Sequence, residues 1–102
     1  MAISPERKKL FRQIGHNLKP VLIVAENGLS EGVMAELDRA LEDHELIKVK
    51  FAIADRDARK LAVETLCKQA GAELVQEIGK IALVFKPARE PNPRLSNLLR
   101  QF

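Results

Sequence analysis

Tryptophan and tyrosine are absent from this sequence, and four phenylalanines are too few for a surface built from rows of aromatic rings. Cys67 is the single cysteine, so no internal disulfide forms, and one cysteine with two histidines offers no zinc or Cys-x-x-Cys spacing. No structural metal and no cofactor are expected. No apolar run approaches the roughly 20 residues that span a bilayer. Met1-Ala2-Ile3-Ser4-Pro5 leads directly into charged residues rather than a secretory apolar core. A cytoplasmic protein with no membrane partner is therefore expected. At 102 residues and 46% hydrophobic content, the chain fits one globular domain. Such a domain buries roughly 60 to 70% of its unfolded surface.

What is present is unevenly placed. The net charge is only +3, yet residues 1–20 carry Arg7, Lys8, Lys9, Arg12 and Lys19 against Glu6, a net of +4. Residues 30–45 carry six acidic side chains against Arg39, a net of −5, and residues 80–102 return to +4. A fold that keeps these stretches apart has one basic and one acidic face.

Ser4 followed by Pro5 is a helix-start signature, and Leu10, Ile14 and Leu18 recur every four residues beside Phe11. A first helix is predicted from about Pro5 to Gly15 or Asn17, ended by Gly15 and by Pro20. Lys8 and Arg12 lie one turn apart on its outer face, with Arg7 and Lys9 beside them. The plain alternative to a binding stripe there is a solvated helix face. Val21 to Val24, four apolar residues in a row, read as a strand buried on both faces. Glu26, Asn27 and Gly28 break it, and Ser30 caps a second helix to about Asp43. That helix buries Val33, Leu37, Ala40 and Leu41 and exposes Glu31, Glu36, Asp38 and Glu42.

From Ile47 to Ile53 the pattern alternates, with Lys48 and Lys50 on the side opposite Ile47, Val49 and Phe51. Asp55 or Asp57 caps a third helix to about Ala70, and Gly71 ends it. Glu73 to Ile78 and Ile81 to Lys86, joined by Gly79-Lys80, read as a tight antiparallel hairpin. The order α-β-α-β-α-β-β predicts a single α/β domain, a four-stranded mixed sheet packed with helices, largely in two layers and with strand order left open. Beyond Lys86, Pro87, Pro91 and Pro93 read as an extended linker, and Leu95, Leu98, Leu99 and Phe102 have the spacing of a short terminal helix.

Catalytic constellations are weak. Asp55-x-Asp57 sits where a helix needs a cap, His16 and His44 sit near helix ends, and Cys67 has the apolar neighbours of a small core residue. No catalytic residue and no small-molecule substrate are expected. The basic set makes the stronger case. The strand, the Gly loop and the helix start bring free N–H groups and a helix dipole to one spot that suits a phosphate oxygen. Lys8, Arg12, Lys19, Lys48 and Lys50 join it as a polyanion track if the first helix folds back beside that end of the sheet. With Phe11, Phe51 and Phe85 placed for the core, such a track reads backbone and shape rather than stacked bases.

His16-x-Leu18-Lys19-Pro20, Val21 to Val24, Asn27-Gly28-Leu29-Ser30-Glu31-Gly32-Val33 and His44-Glu45-Leu46-Ile47-Lys48-Val49-Lys50 resemble the YhbY-like bacterial proteins that consist of a single CRM domain, the chloroplast RNA splicing and ribosome maturation module. Ile78-Gly79-Lys80 and Pro87 extend the resemblance, which covers about residues 4–88. It implies a fold similar to the C-terminal domain of bacterial translation initiation factor three, association with precursors of the large ribosomal subunit, and no catalysis. The family's Gly-x-x-Gly loop maps onto Ala25, Glu26, Asn27 and Gly28, with Ala25 in place of the first Gly and an acidic Glu26 inside the loop.

The resulting expectation is an RNA-binding domain over 4–88 with a Pro/Arg-containing tail over 89–102. The protein would be monomeric and contact ribosomal RNA through Lys8, Arg12, Lys19, Ala25, Glu26, Asn27, Gly28, Lys48 and Lys50. A protein-interaction module using the acidic second helix and the tail is the alternative. A small phosphohydrolase using Asp55 and Asp57 is a weaker third.

Overall fold

In the computed structural model, which describes residues 3–98, each helix starts on a cap that the sequence marks. Ser4 Oγ accepts the Arg7 N–H (3.2 Å) ahead of α1 (Pro5–His16), and Ser30 Oγ accepts the Val33 N–H (3.2 Å) ahead of α2 (Glu31–His44). Asp55 Oδ2 accepts the Ala58 N–H (2.7 Å) ahead of α3 (Arg56–Ala70), and Gly71 in the left-handed conformation ends that helix. Each cap satisfies a donor that the helix leaves free and contributes about 1 kcal/mol.

The strands β1 (Pro20–Val24), β2 (Leu46–Phe51), β3 (Glu73–Ile78) and β4 (Ile81–Phe85) form one sheet in the order β1-β2-β4-β3. β1 runs parallel to β2, and β4 is antiparallel to both β2 and β3. Strand order now settles what sequence left open, and it corrects the reading of Val21–Val24. β1 is an edge strand with alternating burial: Leu22 and Val24 are covered, while Val21 is 50% and Ile23 59% exposed. Four apolar residues in succession thus mark one buried face and one bare face.

The two-layer expectation also changes. On one face α2 and α3 bury Leu37, Leu41, Val63 and Leu66 against Val24, Ile47, Val49 and Phe51. On the other, Phe11 of α1 packs with Ile3, Leu46, Val75, Leu83 and Phe85. The Phe11 and Phe85 rings lie 4.8 Å apart, and the Arg7 guanidinium sits 5.1 and 5.7 Å from their centroids. Such buried aromatic side chains each contribute about 1.5 to 3 kcal/mol. Gly15 explains how α1 comes so close. A Cβ there would stand 2.6 and 2.8 Å from the Leu83 methyls. Gly15 is therefore a contact residue inside α1, not its C-cap, and Asn17 takes that position.

At the end of the sheet where β2 begins, residues 86–98 fold back onto the α2–β2 junction. Glu45 is 6% exposed and has φ 63. Its backbone carbonyl accepts the Lys86 N–H (3.0 Å), and its carboxylate accepts the Ala88 N–H (2.9 Å) and the Ser96 hydroxyl (2.8 Å). Asn97 donates to the carbonyls of Leu46 (2.7 Å) and His44 (2.9 Å), and His44 Nδ1 lies 2.8 Å from the Leu95 carbonyl oxygen. Residues 93–98 form turns here, and the remainder of the anticipated terminal helix, Leu99 to Phe102, lies outside the described residues.

Candidate nucleic-acid interface

The loop after β1 is a β-turn closed by the Gly28 N–H donating to the Ala25 carbonyl (2.9 Å). Gly28 has φ 84, and a Cβ there would meet nothing within 4 Å. Backbone conformation, not space, is what calls for glycine. Ala25 needs no such freedom, because among the described residues Glu45 alone combines a side chain with positive φ. Alanine therefore fits the first loop position without strain. Glu26 reaches sideways: its Oε1 accepts the Ala54 N–H (2.7 Å) from the segment between β2 and α3. Its carboxylate ties two loops together, while Asn27 stays exposed.

Beside the loop, the α1 side of the sheet is only partly covered. The register sets Ile23, Lys50, Ile81 and Ile78 in one row across the four strands, and Lys48, Leu83 and Gln76 in the next. α1 crosses the second row and leaves the first bare, so that Lys50 and Ile78 are exposed. Arg12, His16, Lys48, Gln76, Ile78, Ile81 and Leu83 line a groove of about 310 Å³ along this boundary. Lys8 lies one helical turn before Arg12 on the same ridge. Phe11, Phe51 and Phe85 are all buried.

Arg12, Lys48 and Lys50 thus meet on one surface, with Lys50 next to Ile23 at the approach to the 25–28 loop. Lys19 comes to Lys48 rather than to the loop, because the residue after it, Pro20, is the register partner of Lys48. Lys19 precedes β1 and lines a separate cleft with Leu18, Val21, His44, Ile47 and Asn97, roughly 20 Å of extended chain from the loop. Sequence reasoning missed Ile23 and Ile78, apolar side chains in the bare row, because a continuous apolar run does not reveal which strand is at the edge. It also left His16 at a helix end, although the Arg12–His16 spacing of four carried the signal that both share a ridge.

Asp55 is the α3 cap, which accounts for the Asp55–Asp57 pair. Cys67 is half-buried, and burial, with Glu77 nearby, pushes its thiol up to about 11.

The family model of the CRS1/YhbY (CRM) domain matches residues 3–86. The Pseudomonas aeruginosa protein named "Probable RNA-binding protein PA4753" is 61% identical over 100 residues, 98% of this chain and 96% of its own length. A Haemophilus influenzae protein named "RNA-binding protein" is 40% identical over 93 residues, 91% of this chain and 94% of its own. The solution structure of Staphylococcus aureus SAV1595 superposes with a TM-score of 0.76 at 30% identity, covering 87% of this chain and 93% of that one. Fold and sequence agree, and the chain belongs to the CRS1/YhbY (CRM) domain family.

Proposed function

We propose that this protein is a non-enzymatic RNA-binding protein that docks, as a cytoplasmic monomer without a cofactor, on structured ribosomal RNA during assembly of the large ribosomal subunit. The observation that carries the reading is the meeting of Arg12, Lys48 and Lys50 on the bare part of the sheet, beside an open Gly28 turn. Relatives named as RNA-binding proteins support it. Cations on a rigid sheet and helix hold phosphates at fixed spacing, and with the phenylalanines buried the contact reads the shape and backbone of RNA. Asn27, Gly28 and the start of α2 fit against that backbone, with Lys8 extending the charged edge. Lys19 adds long-range attraction from the far end of β1. The acidic-face alternative loses ground, because Glu42 and Glu45 accept backbone N–H groups of the chain's own tail, those of Arg89 (3.1 Å) and Ala88 (2.9 Å).

Titration with a stem-loop of large-subunit ribosomal RNA over a range of potassium chloride tests this. Affinity should fall steeply with salt, and Lys48→Ala/Lys50→Ala should reduce the log–log slope by roughly 1.4 to 1.8, two phosphates at about 0.7 to 0.9 each. Cosedimentation with precursor particles should vanish after ribonuclease treatment. A flat salt response, or cosedimentation that survives loss of RNA, would overturn the assignment.

A further inference from the structure

On the opposite face of the same end of the sheet, the start of α3 and the turn between β3 and β4 border a cavity of about 400 Å³ lined by Arg56, Arg59, Lys60, Glu77 and Gly79. Three cations there outnumber one carboxylate. Arg59 is held in place: its Nη1 donates to the Ile53 carbonyl (3.0 Å) and reaches the Ala54 carbonyl (3.5 Å). Those acceptors carry no formal charge, so the guanidinium keeps its full positive charge for an anion. Arg56 and Lys60 are exposed and one helical turn apart. Arg56, the first residue of α3, opposes the helix dipole, and like charges at this spacing repel. Asp55 already takes the Ala58 N–H, so side chains rather than helix amides supply the attraction.

The cavity and the surface described above adjoin at the β3–β4 turn, where Gly79 lines the one and Ile78 and Ile81 line the other. Lys50 pairs with Ile81, next to Lys80, and the Lys80 carbonyl accepts the Phe51 N–H (2.7 Å). Lys80 therefore stands between the bare sheet row and Gly79 at the cavity wall. Through Ala54, Glu26 ties the 25–28 loop to the segment whose carbonyls hold Arg59. We propose that RNA whose backbone meets the loop and Lys50 continues around the end of the sheet and seats a further phosphodiester between Arg56, Arg59 and Lys60. This rests on the RNA-binding reading and adds a second, separable contact to it.

The test uses the full chain, one defined RNA stem-loop with single-stranded flanks, and the double variants Arg56→Ala/Lys60→Ala and Lys48→Ala/Lys50→Ala. Arg59 is left intact because it braces backbone. The Arg56/Lys60 variant should melt like the parent, bind at least about fivefold more weakly and lose about 0.7 to 0.9 from the salt slope, one phosphate neutralised. If it keeps the parent affinity and slope while the Lys48/Lys50 variant loses both, the second contact is wrong and RNA binding through the first stands. If neither variant changes the slope, the RNA reading itself falls, and this inference with it.

Discussion

The two ends of the sheet are both crossed by a glutamate, and the two glutamates are used differently. Glu45, where β2 begins, is buried, sits at φ 63 and accepts from a backbone N–H and a hydroxyl of the returning tail. Glu26, where β1 ends, is exposed and accepts the Ala54 N–H. A carboxylate withdrawn from water must be well supplied with donors to remain there, and once supplied it closes the structure around itself. An exposed carboxylate with one such partner holds two loops at a fixed distance and leaves their tips to solvent. The first end is closed by the chain's own tail; the second keeps Asn27 and Gly28 open.

The largest expected effect therefore belongs to the closed end. Glu45→Ala removes the acceptors of the Ser96 hydroxyl and the Ala88 N–H, and hydrogen bonds to a charged group contribute about 1.5 to 3 kcal/mol each. Allowing for water entering the gap, the loss should be about 2 to 4 kcal/mol. For a domain of this size the melting temperature should fall by at least about 10 °C. The RNA affinity of the protein still folded at low temperature should stay within about twofold of the parent. A Glu45→Ala protein with the parent's melting curve would show that the tail is not held as the hydrogen bonds indicate.

That closed end was the least legible part of the fold. Ser4, Ser30 and Asp55 could be read as caps because capping depends on a few adjacent residues, and the Gly79-Lys80 hairpin was readable for the same reason. Glu45 gave no such signal: it lies in an acidic stretch, and its partners are 43 and 51 residues away. The edge position of β1 and the contact of Gly15 with Leu83 were hidden likewise, since both follow from strand order. The candidate site was legible where periodicity suffices, in Lys48 and Lys50 by alternation and in Lys8 and Arg12 by helical spacing. Lys19, one residue before the register partner of Lys48, stands at the end of β1 away from the 25–28 loop, a placement that depends on strand pairing. Nothing local in the sequence singles out Arg56, Arg59 and Lys60, because the hairpin turn that borders their cavity lies in a distant stretch of the chain.

At the open end the effect should be smaller and should appear in binding. Glu26→Gln keeps an oxygen for the Ala54 N–H and removes a negative charge; Glu26→Ala removes both. If the side chain serves to hold the two loops, the Gln variant should bind RNA as well as the parent or up to a few-fold better, the Ala variant about threefold worse. The Gln variant should melt within a few degrees of the parent and the Ala variant lower, since loss of a hydrogen bond costs about 0.5 to 1.5 kcal/mol. Equal gains in affinity for both variants would mean that Glu26 merely repels phosphate, and the parallel between the two glutamates would fail.

Cys67 provides the finest comparison, because it lies in the C-terminal half of α3, away from the loops. With its thiol pushed up to about 11 by burial and Glu77, the folded protein holds its proton more tightly than an unfolded chain with the ordinary value of 9.0. The unfolded state therefore loses that proton first as pH rises, and its loss favours unfolding. Cys67 leaves stability unchanged below about pH 9 and lowers it progressively between pH 9 and 11. The difference between the parent and Cys67→Ala isolates the thiol: the two stability curves should run parallel to pH 9 and the parent's should then fall away. Alkylation of Cys67 at pH 8 should be slow in the native protein and unaffected by saturating RNA, since only the thiolate reacts. Protection by RNA would carry the ligand past the Arg56–Lys60 cavity along α3 to its C-terminal half and shift the boundary between the closed and open regions.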